Sequence, residues 1–133
     1  MGEGGDEGLK PLVWVGSSLD DLKGFPDEVR RVFGFALHLA QAGDKHPDAK
    51  PLGGFGGAGV LEVVEAFDGN AYRAVYTVKL AGVVYALHAF QKKSTKGIKT
   101  SRSDIEKVKA RLKLAEALHA ARPRKEKTDE EET

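Results

Sequence analysis

The chain has 133 residues, no cysteine, and 21 basic against 20 acidic residues, so its formal net charge is +1. That is enough chain for one domain with a core and too little for two. The lack of cysteine removes disulfides, thiolate nucleophiles and cysteine-ligated zinc together, and 41% hydrophobic with 31% charged residues is the composition of an ordinary globular protein.

The N-terminus, rich in glycine and acids, has neither a basic head nor an apolar stretch, so export and acylation are not expected. Residues 1–9 read as a flexible tail, residues 10–121 as one domain, and residues 122–133 as a flexible charged tail with nothing to bury. Pro11–Val15 is a short apolar strand. Ser17, Asp20 and Asp21 start a short helix that Gly24 and Pro26 stop. From Pro26, the spacing of Val29, Val32, Phe33, Ala36, Leu37 and Ala40 predicts an amphipathic helix ending at Gly43. Residues 44–59 hold two prolines and five glycines and are expected to be loop. Within them Gly54-Phe55-Gly56-Gly57-Ala58-Gly59 satisfies G-x-G-x-x-G, but it precedes a strand and opens no helix, which is the wrong context for a dinucleotide site.

Val60–Phe67, Ala71–Leu80 and Val83–Gln91 read as an antiparallel meander turning at Asp68-Gly69-Asn70 and Ala81-Gly82. Ser103-Asp104-Ile105-Glu106 is read as a capping box, opening a last helix with Ile105, Val108, Leu112, Ala115 and Leu118 on one face. The most apolar run, Ala81–Phe90, is about half the ~20 residues a membrane-spanning helix needs, so a cytoplasmic protein is expected. The four histidines show no paired metal spacing, and neither metal nor cofactor is expected. His38 and His119 read as helix surface or packing residues and Trp14 as core.

Charge is concentrated. Residues 92–113 carry nine basic residues, among them Lys92, Lys93, Lys96, Lys99 and Arg102, against Asp104 and Glu106, whereas residues 10–91 are close to balanced. Such asymmetry marks a surface for a polyanion, most often nucleic acid. A two-residue turn at Ala81-Gly82 places Arg73 opposite Phe90, Val75 opposite His88 and Lys79 opposite Val84. One face of the hairpin then carries Arg73, Lys79, His88, Phe90 and Lys92, and the other the apolar residues Tyr72, Ala74, Tyr76, Val83, Tyr85, Leu87 and Ala89. A half-buried sheet has a polar face in any case. The convergence of fixed charge, imidazole and aromatic ring is what favours RNA.

At these residues the sequence resembles the RelE/HigB superfamily of toxins, in particular its phage-derived branch. Ala71-Tyr72-Arg73-Ala74-Val75-Tyr76, Leu87-His88-Ala89-Phe90-Gln91-Lys92-Lys93-Ser94, Lys96-Gly97-Ile98 and the helix from Asp104 to Leu112 carry the resemblance, which extends from about Leu12 to His119. It implies an α+β, RelE-like fold: an antiparallel sheet of about four strands in the order β-α-α-β-β-β-α, with helices on one face and an open basic face.

The resemblance further implies a type II toxin that cuts messenger RNA on the ribosome without metal. A cognate antitoxin, a helix-turn-helix protein, would cover the basic face or displace the last helix. Arg73 matches the strand arginine that binds phosphate, and Lys92 and Lys93 match the basic residue at the end of the last strand, a general acid or charge stabiliser. Lys79, Phe90, Lys96, Lys99 and Arg102 are the expected RNA contacts. RelE carries lysines on the preceding strand where a general base is proposed, but Leu61-Glu62-Val63-Val64-Glu65 offers only acids. Either a glutamate or His88 takes the proton, and His88 is preferred because its ordinary pKa, about 6.5, lies near working pH. The alternatives are a non-catalytic RNA- or ribosome-binding module on the same fold, and a phage-derived protein kept for protein–protein interaction.

Overall fold

Apolar residues at the predicted spacings form the predicted elements, with one addition. The computed structural model describes residues 8–56, 59–92 and 100–123. In chain order these form β1 (Leu12–Trp14), α1 (Ser18–Lys23), α2 (Asp27–Gln41), β2 (Lys50–Pro51), β3 (Val60–Phe67), β4 (Asn70–Thr77), β5 (Val84–Lys92) and α3 (Arg102–Ala120). Most of the two expected tails, and Lys93, Lys96 and Lys99, lie outside the described residues. Among the described residues no helix is long and apolar enough to cross a membrane.

The strands make one mixed sheet in the order β1-β5-β4-β3-β2. β1 runs parallel to β5, and the other neighbours are antiparallel. The sheet therefore has five strands where about four were expected, and it is not wholly antiparallel. The addition is β2, which pairs Lys50 with Glu62 and Pro51 with Leu61. Proline lacks a backbone donor, so a two-residue edge strand is a place it can occupy, and a proline- and glycine-rich stretch hides such a strand. Asp68 (φ 52°) and Gly69 (φ 81°) make the tight turn between β3 and β4, with Phe67 opposite Asn70. This register fixes what the sequence left open. Glu62 lies opposite Val75 and shares the face of Arg73, whereas Glu65 lies opposite Tyr72 on the other face.

Between β4 and β5, Arg73 lies opposite Phe90 and Val75 opposite His88, as expected. Then the register shifts: Tyr76 lies opposite Ala86, leaving Leu87 as an extra residue in a β-bulge. The bulge inverts the first half of β5 relative to unbroken alternation. Val84 and Ala86 join Tyr72, Ala74 and Tyr76 under α2, with Val29, Phe33, Ala36, Leu37 and Ala40. Tyr85 and Leu87 turn to the opposite face with Val60 and Val75, where they meet Val108 and Ala115 of α3.

This overturns the expected open basic face. Helices cover both faces, because the bulge makes an apolar bed over β5 and the inner face of α3 needs one. Phe33, Val108 and Ala115 are fully buried, as a helix docked on each side requires. Leu118, assigned to the inner face of the last helix, is 42% exposed, and His119 takes its place, with its Nδ1 3.0 Å from the Tyr85 hydroxyl. Burial raises the Tyr85 pKa above the ordinary phenol value, and the Arg122 charge opposes that in part.

Candidate functional site

The face under α3 changes character along the strands: its lower half is apolar, and its upper end, past the bulge, is polar. Successive cross-strand pairs there are Val75 with His88, Arg73 with Phe90 and Ala71 with Lys92. Alternation thus brings Arg73, His88, Phe90 and Lys92 together as expected. Two of them are closed to solvent, for Arg73 is only 7% and His88 4% exposed, while Phe90 and Lys92 are half-buried.

Buried charge needs partners, and the chain supplies them from β3 and the start of α3. Glu62 Oε1 lies 3.3 Å from Arg73 Nη1, and its Oε2 accepts a hydrogen bond from Thr100 Oγ1 at 2.7 Å. Asp104 spans two strand residues, with Oδ1 2.8 Å from His88 Nε2 and Oδ2 3.1 Å from Lys92 Nζ. Ser101 Oγ donates to Asp104 Oδ2 at 2.7 Å and accepts from the Asp104 backbone N–H at 3.2 Å. The N-cap is therefore Ser101, two residues before the Ser103 expected, and this cap holds the Asp104 carboxylate over β5.

Arg111, one α3 turn past Val108, reaches back to the bulge. Its Nη1 donates to the Leu87 carbonyl at 2.9 Å and lies 3.4 Å from His88 Nδ1, while Nη2 donates to Ser17 Oγ at 3.0 Å. Gly16 makes room for it: at φ 60°, a Cβ there would sit 2.7 Å from Arg111 Nε. Arginine only donates and a carboxylate only accepts. The His88 ring is therefore neutral, with Nε2–H pointing at Asp104 and the Nδ1 lone pair at Arg111. Burial pushes its pKa below the ordinary histidine value, outweighing the Asp104 hydrogen bond and charge, and Arg111 and Lys107 act in the same direction as burial. For Asp104, burial pushes the carboxyl up, but hydrogen bonds from His88, Ser101 and Lys92 prevail and leave it below its ordinary range.

Phe90 stacks on the His88 ring, 4.4 Å between centroids and 22° from parallel, and Lys92 Nζ lies 5.9 Å from the Phe90 centroid. One face of Phe90 is thus already used. Lys79 lies apart: it follows the end of β4, so its expected pairing with Val84 does not form, and its Nζ is 3.9 Å from Glu116 on the surface. Arg102 is exposed at the first position of α3. Among the described residues no group of three His, Asp or Glu side chains is arranged to hold a metal ion. A surface depression of about 320 Å³ between Asp27, Arg30 and Arg31 belongs to α2, on the opposite side of the sheet.

Sequence reasoning missed Arg111 and the bridging role of Asp104, and it left open whether Glu62 or Glu65 shares the face of Arg73. For Arg111 a signal existed, since it sits three residues after Val108, beside the buried stripe of its helix, in a place where a lone arginine needs a partner. The Glu62 partnership depended on the β3–β4 register.

A comparison with curated proteins finds no match. A family model, described as "Phage derived protein Gp49-like (DUF891)", matches residues 20–113, which run from α1 through β5 and the whole polar cluster to the Arg111 turn of α3. With most of its length matched, the chain belongs to the phage-derived Gp49-like family, a RelE-like toxin family.

Proposed function

We propose that this protein is the toxin of a type II toxin–antitoxin pair, a metal-independent endoribonuclease that cuts messenger RNA on the ribosome in the cytoplasm and is held in check by a cognate antitoxin. The observation that carries this reading is the convergence of Arg73, His88, Phe90 and Lys92 on three successive cross-strand pairs of one face, within a family of RelE-like toxins. In the reaction, the ribose 2′-oxygen loses its proton and bonds to the adjacent phosphorus. The bond from phosphorus to the 5′-oxygen breaks, and that oxygen takes a proton, leaving a 2′,3′-cyclic phosphate and a 5′-hydroxyl.

Arg73 serves as the phosphate-binding cation and Lys92 as the charge stabiliser or proton donor to the leaving oxygen. His88 has both ring nitrogens engaged, and its one lone pair, on Nδ1, faces Arg111, so it accepts a proton only when Arg111 lets go. Glu62, beside Arg73, is a second base in reach of the same phosphate. Arg102, exposed at the start of α3, and Lys93, Lys96 and Lys99, which follow Lys92 in sequence, serve as the RNA contacts in this reading.

The test is induced expression of the wild type and of Arg73→Ala in a bacterium, followed by mapping of messenger RNA 5′ ends. New ends within translated frames for the wild type, falling at least about 100-fold in the variant, are expected. Circular dichroism of both proteins checks folding, because the substitution leaves Glu62 with Thr100 but without its cation. A second reading, a non-catalytic RNA- or ribosome-binding module, draws on the burial of Arg73 and His88. It predicts no new ends, and affinity that falls in steps and steeply with salt as Lys92, Lys93, Lys96 and Lys99 are neutralised.

A further inference from the structure

We infer that the Asp104 carboxylate occupies a phosphate subsite made by His88 Nε2 and Lys92 Nζ on β5, so that this acid and the backbone of a single-stranded nucleic acid compete for one position. The inference rests on reading the polar cluster as an RNA site, and it adds how that site is kept closed.

The geometry is that of a bound anion. Two oxygens of one planar group are each taken by a different donor, at 2.8 Å from His88 and 3.1 Å from Lys92. A phosphodiester presents its two non-bridging oxygens in the same way. Beside the anion lies the Phe90 ring, stacked on His88, and Arg73 is the next residue across the sheet from Phe90. The subsite is thus continuous with an aromatic surface and a second cation. Both donors belong to the strand, whereas the acid belongs to the first turn of a helix, so the donors stay in place when the acid leaves.

The acid can leave without loss of the helix, because α3 is fastened further along. Val108 and Ala115 are fully buried, and Arg111 binds the Leu87 carbonyl and Ser17. Ahead of Val108, by contrast, Arg102, Ser103, Glu106 and Lys107 are exposed, and Ile105 is partly so. Release of one turn therefore uncovers His88 and frees the half-buried Lys92 while the remaining turns keep the core closed. Glu62 holds Arg73 by the same device, an acid of this chain on a cation of the cluster. A protein whose basic residues are capped by its own acids does not bind polyanions indiscriminately.

The probe is a fluorescein-labelled oligothymidylate of 2′-deoxy residues, which lacks the 2′-hydroxyl and cannot be cut, titrated by anisotropy. Asp104→Asn preserves shape and the Ser101 cap while removing the competing charge, and it should bind about tenfold tighter than the wild type. Glu106→Gln removes the same charge from an exposed position of the same turn and should gain far less. The double variant Asp104→Asn/Lys92→Ala should lose the gain.

Equal gains for the two single variants, or a gain that survives loss of Lys92, would overturn the subsite. Should Asp104→Asn fold poorly, the wild type decides: the 13C resonance of the Asp104 carboxyl should move as the oligonucleotide saturates, and a resonance that stays put overturns the inference. Tighter binding by Asp104→Asn in a protein that cuts no RNA keeps the subsite and removes the ribonuclease reading. Cutting by the wild type with no gain in Asp104→Asn does the reverse.

Discussion

The two faces of the sheet are drawn from the same strands and solve opposite problems. Under α2, Val29, Phe33, Val63 and Tyr76 meet in an apolar layer that needs no partner for any charge. Under α3, an equally apolar lower half gives way to Arg73, His88 and Lys92, and every one of them is met by an acid of this chain. The difference teaches that a face carrying functional charge can be roofed only if the roof brings counter-charge. Asp104 and Ser101 come with α3, and Glu62 comes from β3.

The largest test of this contrast is Phe33→Ala, which opens a cavity in the α2 layer. It should cost about 3–5 kcal/mol in urea denaturation, while the NMR signals of the His88 ring stay unchanged below the transition. Movement of those signals would mean that the two layers are not independent. A smaller effect is expected of pH. The folded state keeps His88 neutral below the ordinary histidine pKa and keeps Asp104 ionised below the ordinary carboxylate pKa. On acidification the unfolded chain takes up each proton first, so both groups lose stability as pH falls. For His88 the loss begins near pH 6.5 and for Asp104 near pH 4. Thermal unfolding of His88→Gln should therefore show a shallower decline between pH 7 and pH 5 than the wild type, and an equal decline would break the assignment.

The smallest effect compares one chemical change on the two faces. The Tyr76 hydroxyl is buried under α2 with no hydrogen-bond partner among the described residues, and burial raises its pKa to about 12. Removing it in Tyr76→Phe should be neutral or stabilising by up to ~1 kcal/mol. Tyr85→Phe, under α3, loses the contact with His119 and should cost about 0.5–1.5 kcal/mol. If both changes have the same sign, the contrast between the faces does not extend to their hydroxyls.

Much of the molecule was legible in its sequence. The helical spacing from Val29 to Ala40, the alternation through β3 and β4, and the turn residues set element order, and the opposition of Arg73 to Phe90 and Val75 to His88 followed. The bulge did not follow. Val84, Tyr85, Ala86 and Leu87 are all apolar, so either face could be theirs, and the one-residue slip at Leu87 decides which helix they meet. From that slip came the failure of the open basic face, for Tyr85 and Leu87 are what α3 rests on. The site was legible as a set of cations on one face. Its acids were not, because Glu62 acts through a register that the Asp68-Gly69 turn fixes and Asp104 acts through a cap two residues earlier than the one read.

The Arg111 guanidinium bonds to Ser17, 94 positions away, across a gap that only Gly16 leaves open. One side chain thus closes a ring around most of the domain, and its first and last helices are members of a single cooperative unit. Trimming α3 ahead of Arg111 would loosen the segment between β1 and α1, and any side chain at position 16 would be felt in the last helix.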